Sequence, residues 1–243
     1  FSLRWYRDPF ANELILTSLY NTLVLPLYAS VIAAILGTAA AMGIYSIRNR
    51  WFKSMIMNVT YMPILNPEIV MGVSLLLLFV SVNQIGAGIT AATGIPMPEL
   101  NLGYLTLVIA HVTFCTPYVI LNVLPKLRQM DKFVYEAALD LGCSPVMAFF
   151  KVIIPEIMPG MATGFLMALT YSVDDFIISY FVSSATSQTL PVTIGAMVRK
   201  RISPEINALS AIIFVVVLVV LVAVNLSALR KERLLQKKLG GGV

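Results

Sequence analysis

Charged residues are scarce in this chain. Only 12% of its 243 residues are Asp, Glu, Lys or Arg, and 58% are hydrophobic. A soluble domain has about 25% charged and about 45–50% apolar residues. The mean hydropathy of +0.86 points the same way. The composition therefore excludes a soluble globular core and a disordered chain, and it predicts a polytopic membrane protein.

Residues suited to metal and redox chemistry are also few. The sequence has two cysteines, Cys115 and Cys143, and one histidine, His111. These are too few for a disulfide framework, a four-cysteine site or a histidine cluster, so we expect His111 and Cys115 to be packing residues. The sequence contains no G-x-x-x-x-G-K-[S/T] phosphate loop, so we expect no ATP binding by that route and no cofactor in this chain.

Long uncharged runs divide the chain into spans. A spanning helix needs about 20 apolar residues, and five segments meet this length when Glu68 is accepted within the second and Asp174 and Asp175 within the fourth. The predicted helices lie near 18–47, 55–82, 103–124, 157–182 and 207–229. The whole transmembrane domain is predicted over 14–229, between an extracytoplasmic connector at 1–13 and a cytoplasmic tail at 230–243.

Lysine and arginine are distributed unevenly between the two sets of loops. Twelve of the 17 fall on the side that carries the C-terminus and five on the other. The basic side is predicted to be cytoplasmic, which makes the net charge of +5 a property of these loops and indicates no nucleic-acid binding. Phe1 is then outside, which predicts a further helix upstream. The basic run 199–201 lies on the less basic side and violates this rule.

The first span carries a stripe of small residues. Ala29, Ala33, Gly37 and Ala41 recur at a spacing of four. Small side chains at this spacing let helices approach closely in lipid. We expect this stripe to be a helix-packing face.

The segment 126–155 is unlike the other loops. Its apolar spacing predicts a first helix that ends at Gly142, and Ser144-Pro145 is typical of the start of a second helix. A charged and aromatic helix–turn–helix could dock into a partner's groove. It could equally rest on the membrane surface, and spacing alone does not choose between these interpretations.

The same segment carries a family motif. Glu136-Ala137-Ala138, Gly142 and the run Val152-x-Ile154-Pro155 resemble the EAA loop of ABC importer permeases, with Val and Ile in place of Ile and Leu. The resemblance implies an all-α integral membrane protein with the type I importer permease fold. It also implies that the loop couples the chain to an ATPase. The residues expected to do so are Glu136, Ala137, Ala138, Asp140, Gly142 and Pro155.

Four further segments resemble the spermidine/putrescine importer permeases, most closely the second of their two homologous subunits. These segments are 66–75, 111–118, 172–176 and 203–208. The resemblance implies a bacterial inner membrane location and three kinds of protein partner: a homologous permease subunit, a dimer of ATP-binding subunits and an extracytoplasmic substrate-binding protein. ATP and Mg²⁺ would be bound by the partner ATPase.

Two adjacent carboxylates fall inside the fourth predicted span. A carboxylate at membrane depth costs at least about 2.5 kcal/mol on insertion scales, so Asp174 and Asp175 need a partner or a polar path. They should point about 100° apart on a helix. Asp175 shares a stripe with Gly164, Ala168, Ser172 and Ser179.

We interpret this region as a cation pathway, in which carboxylates and aromatic faces replace the water that a polyamine sheds. The candidate residues are Asp174, Asp175, Glu68, Ser172 and Tyr171. The alternative is that one aspartate forms a cap or pairs with a basic residue of the partner permease. Glu68, beside Pro63 and Pro67, could line the path or bind amide groups freed by the prolines.

The sequence thus predicts a non-catalytic permease subunit of an ATP-driven polyamine importer. A permease for thiamine or ferric iron remains an alternative, because acidic intramembrane residues do not separate these solutes. A membrane scaffold or sensor that uses the loop for docking is an alternative of another class. An intramembrane enzyme is disfavoured, since no nucleophile–base set accompanies His111.

Overall fold

The computed structural model describes residues 12–200 together with 207–208, 210–211 and 215, and these residues are predominantly helical. The chain divides into two units, 17–193 on one hand and 1–16 with 194–243 on the other. In the second unit, the Asn12 side chain accepts a hydrogen bond of 3.0 Å from the Leu14 amide at the start of the first helix. The predicted tail at 230–243 and most of the predicted connector lie outside the described residues.

Within the described residues, four helices are long and apolar enough to cross a membrane: Glu13–Ser46, Glu68–Thr93, Tyr104–Gln129 and Pro145–Asp174. The sixth helix contains one π-helical turn, at Phe149–Ile153. The helices are α1 (Glu13–Ser46), α2 (Arg50–Leu65), α3 (Glu68–Thr93), α4 (Tyr104–Gln129), α5 (Lys132–Asp140), α6 (Pro145–Asp174), α7 (Ile177–Val182) and α8 (Leu190–Lys200).

Two of the predicted spans are confirmed almost as they stand. The first, 18–47, corresponds to α1, and the third, 103–124, corresponds to α4 with one further turn at its C-terminal end. Both are continuous uncharged runs. Of the predicted fifth span, 207–229, the few described positions are helical and the rest lies outside the described residues.

The prediction of one helix over 55–82 was wrong, because the chain breaks into α2 and α3. Asn66 is extended, with ψ at 145°, and its amide donates to the Met62 carbonyl to end α2. Pro67 precedes α3. Proline lacks an amide hydrogen and disfavours a helical conformation at the residue before it, which explains the break here.

Helix α3 continues to Thr93, beyond the predicted end at 82. Gly94 ends α3 with a φ of +71°, a conformation that favours glycine. The segment 94–103, which we call the strap, follows α3 and folds back onto it. The Asn83 amide donates to the Leu100 carbonyl at 3.1 Å, and the Leu100 amide donates to Asn83 Oδ1 at 2.7 Å.

The prediction of one helix over 157–182 was wrong at both ends. The helix begins earlier, at Pro145, since the second half of the 126–155 loop continues directly into α6. It also ends earlier: Asp175 is extended, with φ −66° and ψ 121°, and a separate helix α7 follows. Asp174 is therefore the last residue of α6, and Asp175 lies in the break that follows it.

Helix α4 is the centre of the 17–193 unit. It packs most extensively against α6 and also contacts α2 and α7. Two glycines of α6 make the approach possible, since a Cβ at Gly160 would lie 2.7 Å from the Asn122 carbonyl oxygen, and one at Gly164 would lie 3.0 Å from Val119 Cα. Helices in lipid associate through such close packing.

The small stripe of α1 packs as predicted. Ala29, Ala33 and Ala41 are fully buried, and a Cβ at Gly37 would come within 2.6 Å of Val119 Cβ. At Gly37, α1 therefore lies in close contact with α4.

Candidate functional site

The 126–155 loop forms the helix–turn–helix that its sequence predicts. The Asp131 side chain accepts a hydrogen bond of 2.9 Å from the Phe133 amide and so caps α5. Gly142 then turns the chain with a φ of +87°. Ser144 caps α6 by accepting a hydrogen bond of 3.3 Å from the Met147 amide. All three ends use local capping chemistry, and the two at Gly142 and Ser144 are those that the sequence predicted.

The loop presents both charge and apolar surface. Glu136, Ala137 and Asp140 are exposed along α5, and Leu141 at the turn is 87% exposed. Pro155 is also exposed, whereas Ala138 is half-buried. Side chains of this kind on a rigid helix pair are suited to insertion into a groove on another protein.

The loop is held against the rest of the 17–193 unit on its inner side. Helix α5 contacts the π-helical turn of α6. A cavity of about 450 Å³ lies between these elements and the ends of α1 and α4. Its lining includes Tyr45, Leu127, Tyr135, Glu136 and Phe149.

The break between α6 and α7 has a buried polar side. The Asp175 carboxylate accepts hydrogen bonds from the Ile178 amide at 3.2 Å and the Ser179 amide at 2.7 Å, so it caps α7. His111 of α4 completes the network: Nδ1 is 2.6 Å from Ser172 Oγ, and Nε2 is 3.0 Å from Ser179 Oγ. Nε2 is also 3.5 Å from Asp175 Oδ2. His111 and Asp175 are only 1% and 6% exposed.

The hydrogen-bonding roles in this network follow from its chemistry. A carboxylate only accepts, so the ring proton of a neutral His111 belongs on Nε2, which faces Asp175 and Ser179. Nδ1 then accepts from the Ser172 hydroxyl. Buried polar groups need hydrogen-bond partners, and the His111 ring is a partner for Ser172 on α6 and for Ser179 on α7.

The other side of the same break is exposed and aromatic. Asp174 and Tyr171, three residues apart on the last turn of α6, are both exposed, Tyr171 by 42%. The Tyr171 ring lies 4.4 Å from the Tyr118 ring, and Phe114 packs edge-on against both. Glu68, the first residue of α3, is also exposed. We refer to Tyr118, Tyr171 and Asp174 as the acidic–aromatic face.

The five predicted pathway residues therefore separate into two groups. Asp174, Tyr171 and Glu68 are exposed, whereas Asp175 and Ser172 are buried. The two aspartates differ in exposure, but Asp175 lies outside the helix on which the predicted angle of about 100° rested. The alternative of a capping aspartate is confirmed for Asp175, while a pathway role for the five residues stays a prediction.

The stripe that contains Asp175 is a packing face in the described chain. Gly164, Ala168 and Ser172 are buried, and the Cys115 thiol of α4 donates to the Ala168 carbonyl at 3.3 Å. Small residues on this stripe let α6 lie against α4, which is a sufficient physical reason for them.

Sequence reasoning missed the role of His111. It was expected to be a packing residue, and its burial is as expected, but both ring nitrogens bind polar side chains. The sequence gives no sign of this, because Asp175 and Ser179 are more than 60 positions away along the chain. The helical spacing of Ser172, Asp175 and Ser179 is a sequence signal for their common orientation, though not for their partner.

Comparison with known proteins agrees with this architecture. Residues 33–240 match the family model described as binding-protein-dependent transport system inner membrane component. The putrescine transport system permease protein PotI of Escherichia coli is 38% identical over 213 residues, which cover 87% of this chain and 72% of PotI. The spermidine/putrescine permease PotC of Haemophilus influenzae is 34% identical over 91% of this chain and 80% of PotC.

A solved structure shows the same fold. A bacterial ABC transporter involved in the import of the acidic polysaccharide alginate has a chain that matches with a TM-score of 0.75 at 16% identity. The match covers 95% of this chain and 84% of that chain. The fold is thus the type I ABC importer permease fold, and the chain belongs to the family of binding-protein-dependent transport system inner membrane components.

Proposed function

We propose that the chain is the permease subunit of an ATP-driven importer that carries polyamines into the cytoplasm. The observation that carries the proposal is the acidic–aromatic face at the α6–α7 break, in a chain 32–38% identical to the polyamine permeases PotI and PotC. A polyamine has several ammonium groups on an apolar backbone. Carboxylates and tyrosine faces offer both kinds of contact.

The 126–155 loop supports an ATP-driven mechanism. Its exposed Glu136, Asp140 and Leu141 are suited to a groove on a partner ATPase, and the loop lies directly between α4 and α6. We infer that ATP binding and hydrolysis occur on that partner, with Mg²⁺, and that loop movement displaces both helices. This chain would then have no catalytic role of its own.

The remaining parts of the proposal concern orientation and assembly. Positive loop charge favours a cytoplasmic location for the 126–155 loop and for the C-terminus. The strap at 94–103 would then lie on the opposite side, where an extracytoplasmic binding protein delivers the substrate. A homologous permease subunit would supply the other wall of the path.

The test is transport by the assembled complex. The chain is co-expressed with its permease, ATPase and binding-protein partners and reconstituted into proteoliposomes, and ATP-dependent uptake of labelled spermidine and putrescine is measured. We expect saturable uptake that each polyamine inhibits and that thiamine and ferric iron leave unchanged. An ATPase-active complex that imports thiamine or iron but neither polyamine would reject the substrate assignment.

A matched pair of variants addresses the coupling loop. Glu136→Lys reverses a charge on the exposed face of α5, and Glu99→Gln removes an exposed carboxylate from the 94–103 strap. We expect Glu136→Lys to abolish uptake and to reduce the amount of ATPase that co-purifies, with Glu99→Gln unchanged. Normal uptake by Glu136→Lys would exclude the proposed contact with the ATPase.

A further inference from the structure

His111 joins three helices at one point. Its ring, on α4, bonds to Ser172 on the last turn of α6 and to Ser179 on α7. The Asp175 carboxylate, which lies between these two helices, is 3.5 Å from the same ring. No other residue is needed to satisfy the ring nitrogens, so the network is complete and fixed in geometry.

The helices that meet there belong to two different packing arrangements. Helices α4 and α6 lie against one another along their length, with glycines at the contact. Helix α7 packs mainly against α3. A Cβ at Gly72 of α3 would lie 2.8 Å from Phe181 Cδ2, so a glycine also gives room for a side chain at this second contact. The α6–α7 break is the covalent link between the two pairs.

The first pair is attached directly to the 126–155 loop. Helix α4 ends at Gln129, and α6 begins at Pro145 within the loop itself. A displacement of the loop is therefore transmitted to α4 and α6 along their helical axes. It reaches the start of α7 through the extended backbone at Asp175 and through the hydrogen bonds of His111. The far end of α7 is joined to α4 separately, by a hydrogen bond of 3.1 Å from the Thr106 hydroxyl to the Val182 carbonyl. Extended backbone alone is a flexible link, because it lacks the helical hydrogen bonds that would hold the angle between α6 and α7.

We propose that His111 is a positioning residue that holds α7 to the α4–α6 pair, so that loop movement displaces all three helices together. The proposal rests on the proposed function, since it assigns to His111 the transmission of movement from the ATPase to the substrate path. In this arrangement, Asp174 keeps its place at the break while the helices move. His111 itself does not touch the substrate.

The test compares uptake with ATP hydrolysis in the complete complex. His111→Ala removes both bonds, whereas the amide of His111→Gln replaces the Nε2 donor, which faces Ser179 and Asp175. Cys115→Ala is the matched control, because it removes a buried α4–α6 hydrogen bond one turn away without touching α7. We expect His111→Ala to lower polyamine uptake per ATP hydrolysed by about tenfold, the effect of losing one or two buried hydrogen bonds. His111→Gln should recover to within about threefold of the wild type, and Cys115→Ala should match the wild type.

A second measurement does not depend on the substrate. Hydrogen–deuterium exchange of the wild-type and His111→Ala complexes reports whether α7 is released. We expect faster exchange over Ile177–Val182 in the variant, with α4 and α6 unchanged. If His111→Ala does not assemble, Ser179→Ala, which removes only the bond to α7, gives the same two readouts.

The outcomes separate the two proposals. Unchanged exchange of α7, or an uptake-to-hydrolysis ratio equal to that of the wild type, would overturn the role of His111. Equal losses in His111→Ala and Cys115→Ala would also overturn it, because the effect would then be general loss of packing. A wild-type complex that hydrolyses ATP without importing polyamine would overturn the proposed function, and the exchange of α7 would still decide the role of His111.

Discussion

Replacing Asp175 should destabilise the chain, whereas replacing its neighbour Asp174 should weaken transport. The Asp175 carboxylate accepts hydrogen bonds from the amides of Ile178 and Ser179 and is 6% exposed. Asp174 is exposed beside Tyr171 at the acidic–aromatic face. One substitution therefore removes an internal cap, and the other removes a charge from a surface.

The magnitudes follow from the bonds that are lost. An N-cap is worth about 0.5–2 kcal/mol, and a buried donor without its acceptor costs about 1–3 kcal/mol. Asp175→Ala leaves two buried amides without their acceptor and removes the carboxylate beside the His111 ring, so we expect a loss of about 2–4 kcal/mol. Asp175→Asn keeps one oxygen and should lose about 1–2 kcal/mol. Asp174→Asn should change stability by no more than about 0.5 kcal/mol, as exposed substitutions usually do.

Transport should follow the opposite order. Asp174→Asn removes a carboxylate from the proposed path, and we expect the polyamine concentration at half-maximal uptake to rise about three- to tenfold, equivalent to about 0.6–1.4 kcal/mol. Glu99→Gln, an exposed carboxylate on the 94–103 strap, is the control and should behave as the wild type.

Thermal unfolding of the purified complex and uptake in proteoliposomes measure the two effects separately. The reasoning is refuted if Asp175→Asn unfolds at the wild-type temperature and raises the half-saturating concentration more than Asp174→Asn does. Asp175 would then contact the substrate directly, and its cap would be dispensable.

Two further substitutions test other parts of the structure. Gly37→Ala places a Cβ within 2.6 Å of Val119 Cβ. Overpacking of this kind costs about 1–3 kcal/mol, so the complex should unfold at a lower temperature. Gly43 has open space around it, so Gly43→Ala should leave the unfolding temperature unchanged. Asn83→Ala removes both hydrogen bonds to Leu100, so limited proteolysis should cleave the 94–103 strap faster than in the wild type. Equal cleavage rates would show that other contacts hold the strap in place.

The sequence predicted those parts of the fold that are determined by residues close to one another along the chain. The turn of the 126–155 loop follows from Gly142 and from Ser144-Pro145, and the structure uses each as a helix end. The stripe through Gly37 was predicted to pack because the spacing of small residues on one helix is sufficient to define a face. Continuous uncharged runs likewise predicted α1 and α4.

The breaks within the hydrophobic runs were not predicted. At Asn66-Pro67 the local signal was present, but the hydrophobic run on either side was read as one span. At Asp175 the sequence continues with small and apolar residues, and no proline marks the break. Its stabilising partner, His111, is on another helix, so only the tertiary structure brings the two together.

The break at Asp175 also explains how a buried and an exposed carboxylate can be adjacent. A break inside a membrane frees main-chain amides, and no water is available there to bind them, so the protein must supply acceptors itself. Asp175 does this for α7, and its burial turns the preceding residue to the opposite side, where Tyr171 and Tyr118 lie. Because Asp175 must be buried to cap α7, Asp174 is left at the surface. A substitution that abolishes the Asp175 cap should therefore disturb both stability and transport, whereas a substitution of Asp174 should disturb only transport.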